Sequence, residues 1–429
     1  MNNTKEIFIT AFALFALFFG AGNLLLPPLL GYQAGNDWFW VTLGFILTAV
    51  VIPIIGIFAH ARLQGTMYDF AKKVSPLFSS IYCVLIYIIA VVIPSPRTAA
   101  ATHEIAISPF FNSSSLLTSS IYFALVFVFV CNRSRILNII GKFLTPFIVL
   151  FLLLVIGIGL YSSTFLATNS VIETPIVAGI LEGYQTFDAI GAVVVGAVII
   201  ISINLKGYTT FETKKNIIKK AGLIAGLGLF IIYAGLISVG AYYGSQITVD
   251  TALSSDMQRA ALLRNISISS LGVVGNSVLS FLIALACFTT AVGIVTGTAD
   301  YFKGIFKNNQ NIYYLVAFLA CIFGVVIGQL NFNTIIVFAF PVLLFIYPIT
   351  IVLILLNVLP EKYASKAVFR AVVIITFIFS IPDVLNFLMP SENISAIIEN
   401  IPFASHNLAW VLPAILVFVV TVIFQKNKA

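Results

Sequence analysis

Phe15-Ala16-Leu17-Phe18-Phe19-Gly20-Ala21-Gly22-Asn23-Leu24-Leu25-Leu26-Pro27-Pro28 begins as an apolar helix and then breaks its own pattern. Two glycines and an asparagine weaken helical order, and two prolines follow one turn later, so the segment is expected to unwind at Gly20-Ala21-Gly22-Asn23. Unwinding leaves backbone N–H and C=O groups without helical partners. At membrane depth such groups are tolerated only where they are buried in protein or line a cavity, so the break predicts a bound ligand or ion.

The surrounding composition makes membrane depth the right setting. Of 429 residues, 60% are hydrophobic and 9% charged, and the mean hydropathy is +1.10. A soluble chain of this length needs a far more charged surface, so this is a polytopic membrane protein. Cys83, Cys131, Cys287 and Cys321 lie in or beside apolar runs and read as core fillers, without disulfide or zinc spacing.

Twelve spans are long enough to cross a roughly 30 Å hydrocarbon core. The first runs from Ile7, and the others lie near 38–60, 77–103, 115–132, 143–161, 175–205, 221–244, 270–301, 312–329, 333–357, 367–389 and 404–425. Pro382 and Asp383 interrupt the eleventh. The longest polar stretches, 162–174, 206–220 and 245–268, are too short for a soluble domain. With the N-terminus in the cytoplasm, basic residues such as Lys72, Arg133, Arg135, Lys214, Lys303, Lys362 and Lys428 fall on that side. Of the 22 Lys and Arg, only Arg259 and Arg264 fall outside, and Arg97 lies within a span. That bias predicts cytoplasmic N- and C-termini. It also accounts for the net charge of +7 through membrane lipid headgroups, with no nucleic-acid partner required. Nothing in the chain calls for an obligate protein partner.

Ionisable residues at membrane depth are costly, and each is a site candidate. Asp188 lies about a dozen residues into the sixth span, in Gln185-Thr186-Phe187-Asp188-Ala189-Ile190-Gly191. The Gly20 break lies at a similar depth in a span that enters from the opposite side, as an inverted repeat of spans one to five on six to ten would produce. In the third span Arg97 and Glu104 stand seven apart and share a helix face, either as a structural ion pair or as a gate. Thr289 and Thr290 either bond back to carbonyls of their own helix or supply hard oxygen ligands to a small cation. Lys142 and Asp188 are possible proton carriers.

Phe15 to Leu24 with Pro27-Pro28 and Gly31-Tyr32-Gln33-Ala34-Gly35, the Pro96-Arg97-Thr98 of span three and the Gly183-Tyr184-Gln185-Thr186-Phe187-Asp188-Ala189 of span six carry a resemblance. They resemble the bacterial branched-chain amino acid:cation symporter family (LIVCS) of the amino acid-polyamine-organocation superfamily, whose pattern commonly has Met at the place of Phe187 and Ala at that of Ser95. The resemblance implies an all-α integral membrane protein of leucine-transporter-type fold with twelve transmembrane helices. A 5+5 inverted-repeat transport core would occupy 1–360 and two additional helices 361–429. It implies a Na+-coupled importer of leucine, isoleucine and valine in the bacterial cytoplasmic membrane, not an enzyme and without organic cofactor, with a proton-coupled symporter of the same fold as the alternative.

The resemblance also implies roles for residues. The substrate carboxylate would sit on the N–H groups of Ala21 and Gly22 within the Gly20–Asn23 break, Thr186, Phe187 and Asp188 would flank the substrate, with Asp188 meeting its ammonium, and Ile294 would wall the side chain. Na+ would be held by the carbonyls of Ala16, Phe19 and Ala286 and the hydroxyls of Thr289 and Thr290.

Overall fold

The computed structural model describes residues 3–132, 142, 145–162, 168–244, 246–247, 249–250, 255–389 and 400–426, and all regular structure among them is helical. Arg133, Arg135 and Lys428, used above for orientation, lie outside the described residues.

Span one is split into α1 (Asn3–Phe18) and α2 (Ala21–Ala34). Span two comprises α3 (Trp38–Ile46), a π-helical turn Leu47–Val51 and α4 (Ile52–Leu63). After a short α5 (Met67–Ala71), span three is α6 (Pro76–Val92), α7 (Pro94–Ala101) and a second π-helical turn, Thr102–Ile107. Spans four and five are α8 (Ser115–Cys131) and α9 (Thr145–Ser162). Span six is split into α10 (Pro175–Tyr184) and α11 (Asp188–Leu205). Then follow α12 (Phe211–Tyr242), α13 (Ser255–Ile305), α14 (Gln310–Ile327), α15 (Phe332–Val358), α16 (Lys366–Leu388) and α17 (Val411–Lys426). Each expected span thus has a helix or a broken helix. By length and hydropathy alone, eight stretches among the described residues are able to cross a membrane, and 115–131, 145–161 and 411–425 are shorter apolar helices.

Local sequence explains the starts. The Ser75 hydroxyl accepts from the Phe78 N–H at 3.0 Å with Pro76 at the first helical position, and Ser114 and Ser365 cap α8 and α16 in the same way. Two polar stretches expected as loops turn out helical. The charged run from Glu212 to Lys220 is the first part of α12, with a Glu212–Lys215 ion pair at 3.3 Å, and 255–271 is the first part of α13, bent at Gly272 (φ 67°). Hydropathy marks lipid contact, and a helix that leaves the lipid keeps its hydrogen bonds without it.

Both halves of span one pack on α12, and both halves of span six pack on span two, α10 on α3 and α11 on α4. Exchanging span one with six and two with seven maps each contact onto the other. That is the relation an inverted repeat demands. Backbones touch along these seams: a Cβ at Gly31 would lie 1.8 Å from the Ile237 carbonyl oxygen, and one at Gly240 would lie 2.0 Å from that of Pro28. Gly222 and Gly226 seat α12 against Ile57, Phe58 and Ile54 of α4, so this small-residue pair serves intramolecular packing. Gly31→Ala is therefore expected to abolish recovery of folded, monodisperse protein. Gly157→Ala, whose Cβ meets nothing within 4 Å, is expected to purify like the parent; equal yields of the two would contradict the seam.

Among the described residues nearly all buried apolar side chains form one continuous cluster, with a small second one at Ala404 and Ala409. Outside it, Leu77, Ile81, Leu85 and Ile88 on α6 and Leu315, Phe318, Leu319 and Ile322 on α14 are exposed at helical spacing. Apolar surface on this scale belongs against hydrocarbon.

Candidate functional site

The break in span one is tighter than the sequence suggests: only Phe19 and Gly20 leave the helix, and α2 resumes at Ala21. Pro27 and Pro28 sit inside α2 and do not end it. Gly20 is the N-cap in extended conformation, and its N–H donates to Asn23 Oδ1 at 3.2 Å. Ala21 and Gly22 occupy the first two helical positions, whose N–H groups have no partner within a helix and carry its positive dipole end.

In span six, α10 ends at Tyr184, Gln185 and Thr186 form a turn, and Phe187 adopts a left-handed conformation (φ 63°) before α11 starts at Asp188. A non-glycine residue held there costs on the order of 1–3 kcal/mol and marks a constrained site. The Thr186 hydroxyl donates to the Gly183 carbonyl at 2.8 Å and accepts from the Asp188 N–H at 3.3 Å, so it spans the break. The two breaks are tied together. Asn23 Nδ2 donates to Asp188 Oδ2 at 2.6 Å, and Tyr233 of α12 donates to the same oxygen at 3.4 Å. Tyr347 of α15 accepts from the Ala189 N–H at 3.1 Å, and its ring packs tilted against Tyr184 at 4.5 Å between centroids.

Between the breaks lies a cavity of about 50 Å³. Gly20, Gly22, Asn23, Thr186, Phe187 and Asp188 face it, as do Thr290 and Ile294. Leu17, Ile190 and Val194 supply more apolar wall. Such a volume holds a few water molecules. Side chains must move apart to admit a branched residue.

Arg97 also faces this cavity. Span three is interrupted at Ile93, ahead of Pro94 and Pro96, and α7 carries Arg97 inwards, where it is 4% exposed. Its Nη1 donates to the Gln185 carbonyl at 2.7 Å, and its Nη2 lies 3.0 Å from where a Gly22 Cβ would be. The Glu104 side chain is exposed on the π-helical turn Thr102–Ile107. The expectation of a shared face assumed α-helical spacing. Glu104 lies within a π-turn, which is wider than an α-helical turn and does not keep that spacing.

A second polar cluster bridges α1 and α13. Thr289 Oγ1 lies 2.9 Å from both the Ala16 and the Ala286 carbonyl oxygens, and Thr290 Oγ1 lies 3.2 Å from that of Ala286. Thr290 therefore makes the ordinary back-bond within its own helix, but Thr289 also reaches across to span one. A hydroxyl has one hydrogen and cannot donate fully to two carbonyls, so among these four oxygens three close contacts share two hydroxyl protons. Such a set fits a small hard cation. Gly20 comes close because it lacks a side chain; a Cβ there would stand 3.0 Å from Thr290 Oγ1. Phe19, the fifth expected ligand, is the first unwound residue, next to Gly20 in the chain. Among the described residues no group of three or more His, Cys, Asp or Glu could hold a metal.

Tyr233 and Tyr347 were invisible in the sequence, where a tyrosine in an apolar span reads as packing. Equally hidden was a chain of contacts running outward from Gln185. Its Nε2 donates to Glu182 Oε2 at 2.8 Å, and Glu182 Oε1 pairs with Arg259 Nη2 of α13 at 2.5 Å. Both ionic side chains are mostly buried, at 9% and 17% exposure. Removing one partner from such a pair costs about 3–5 kcal/mol. Arg259→Gln is expected to lower the thermal midpoint by several degrees, and Glu182→Gln in the same chain to restore part of it; additive losses in a double-mutant cycle would contradict coupling.

Against known proteins, the model of the family described as "Branched-chain amino acid transport protein" matches residues 3–428. The chain is 32% identical to the branched-chain amino acid permease BraB of Bacillus subtilis, over 99% of this chain and 97% of the permease. It is 29% identical to the branched-chain amino acid transport system 2 carrier protein of Pseudomonas aeruginosa, over 98% and 96% of the two chains. Among solved structures it is similar to Mhp1, a nucleobase-cation-symport-1 family transporter in a closed conformation, with a TM-score of 0.64 and 11% identity over 98% of this chain and 93% of that one. It also superposes on a Na+-coupled sialic acid symporter (0.60, 13%, 97% and 90%) and on MhsT in complex with L-phenylalanine (0.57, 16%, 97% and 98%). These likenesses establish the leucine-transporter-type fold.

Proposed function

This chain belongs to the branched-chain amino acid transport protein family, and from that premise we propose that it imports leucine, isoleucine or valine into the bacterial cell together with Na+. It is a transporter and not an enzyme. The observation that carries the coupling is the oxygen cluster between α1 and α13, with Thr289 reaching the Ala16 carbonyl at 2.9 Å. Na+ held by Ala16, Phe19, Ala286, Thr289 and Thr290 draws the two helices together. Ala16 lies only four residues before Gly20, so the ion fixes the α1 end of the break that receives the substrate. Binding of each ligand favours the arrangement the other needs, which is coupling through differential affinity of states.

In this reading the Ala21 and Gly22 N–H groups take the substrate carboxylate. Asp188, already oriented by Asn23 and Tyr233, takes the ammonium, and Ile294 with its apolar neighbours takes the branched side chain. Spans one, two, six and seven, packed on one another as described, rock as a bundle against the other spans of a transport core formed by 1–360. The two helices of 361–429 flank that core. Both termini lie in the cytoplasm, and the partners are substrate, ions and membrane lipid.

Thermal stabilisation of the purified chain across the proteinogenic amino acids, with and without sodium, tests this. A ligand at one hundred times its Kd stabilises by about 2.7 kcal/mol. Leucine, isoleucine and valine are expected to raise the midpoint in sodium and far less without it. Equal stabilisation in sodium-free buffer would contradict Na+ coupling. A proton-coupled symporter of the same fold is the second reading, favoured by the buried carboxylate of Asp188 in the cavity; the other proposed carrier, Lys142, is exposed.

A further inference from the structure

The cavity holds a charge that the reading so far leaves unused. Arg97 is buried, faces the same cavity as Asp188, and stands beside Gly22, one of the two residues whose N–H groups are assigned to the substrate carboxylate. Burying a guanidinium at membrane depth is costly. A bond to the Gln185 carbonyl at 2.7 Å engages Nη1, while Nη2 is the end that approaches Gly22. Span three is bent at Pro94 and Pro96 ahead of it, which aims the side chain at the break rather than along the helix. One cationic and one anionic residue thus line a small chamber beside Asn23, Thr186 and Thr290 and an apolar wall of Leu17, Ile190, Val194 and Ile294, a pattern that matches a zwitterion with an apolar side chain.

We propose that Arg97 is a substrate-binding residue: its Nη2 end, together with the Ala21 and Gly22 N–H groups, holds the α-carboxylate, while Asp188 holds the α-ammonium. This rests on the branched-chain amino acid reading above and adds a specificity to it. Charge at both ends selects α-amino acids over amines and amides of the same shape, because an uncharged end leaves the guanidinium buried beside a poor acceptor. The Gln185 bond fixes the guanidinium from the span-six side of the cavity. Substrate binding at Arg97 therefore joins spans one, three and six, that is, the moving bundle and the part it moves against. A bidentate fork suits a carboxylate better than a lysine would.

The test measures ligand-induced stabilisation of the full chain in sodium with leucine, leucinamide and 3-methylbutylamine, which share the branched side chain and ammonium and differ at the carboxylate. The parent is expected to prefer leucine strongly. Arg97→Gln is expected to weaken leucine binding roughly 100-fold, within the range for removing one partner of a buried charge pair, and leucinamide or 3-methylbutylamine binding less than about threefold. Arg97→Met, which keeps the packing of the stem, provides the same reading should the glutamine variant fold poorly. Equal weakening of all three ligands would make Arg97 a structural clamp on Gln185 and overturn the proposal, as would unchanged leucine preference. A parent chain that binds no branched-chain amino acid would instead sink the reading beneath it, and the parent arm alone reveals that case.

Discussion

Asp188→Asn is expected to weaken leucine binding by at least about 30-fold, the lower end of the 2–5 kcal/mol that loss of one member of a buried charge pair costs. The substitution keeps the shape of the side chain and an oxygen for Asn23, whose amide lies 2.6 Å from Asp188 Oδ2, so the fold should survive. Asp188→Ala removes that acceptor as well. It leaves the fully buried Tyr233 hydroxyl without an acceptor for its proton and the Asn23 amide, 2% exposed, with only the Tyr233 oxygen to donate to, at about 1–3 kcal/mol of stability. The two variants thus separate charge from scaffold: equal loss of binding, but a lower thermal midpoint only for alanine. Normal leucine affinity in Asp188→Asn would remove the carboxylate from the ammonium site.

Thr289→Ala combined with Thr290→Ala is expected to raise the sodium concentration for half-maximal uptake by one to two orders of magnitude, at least the cost seen when a partner of a metal ligand is lost. The argument is geometric. Thr289 is the residue that joins α13 to the Ala16 carbonyl, so without it the α1 end of the break is no longer tied to span eight. Single variants should be unequal, with Thr289→Ala the more severe, because Thr290 bonds only within its own helix among its recorded hydrogen bonds. An unchanged sodium requirement in the double variant would take the cation away from this place. Leucine saturation measured at very high sodium should approach that of the parent.

Much of this is legible in the sequence, for a physical reason. Gly20, Asn23 and Asp188 stand out because lipid tolerates neither unwound backbone nor charge without a partner, so each had to be functional or paired. Thr289 and Thr290 announced an oxygen-rich point, though not which of them crosses to span one. Tyr233 and Tyr347 gave no sign, since a tyrosine is at home in an apolar span and only its hydroxyl's neighbour reveals its role. Residue spacing is read on an α-helix, and it does not display the π-helical turn at Thr102–Ile107, where Glu104 is exposed while Arg97 is buried. Helical segments at 211–220 and 255–271 were missed because hydropathy falls where a helix leaves the membrane. The break itself was overestimated at four residues: Asn23 accepts from the Gly20 N–H and caps α2, which restarts the helix at Ala21.

Uptake of labelled leucine into proteoliposomes reconstituted with the full chain measures the coupled movement itself. With an inward sodium gradient the interior concentration of leucine is expected to rise above the exterior and to collapse when a sodium ionophore is added. No accumulation under the sodium gradient, with accumulation under an inward proton gradient in sodium-free buffer, would contradict the account.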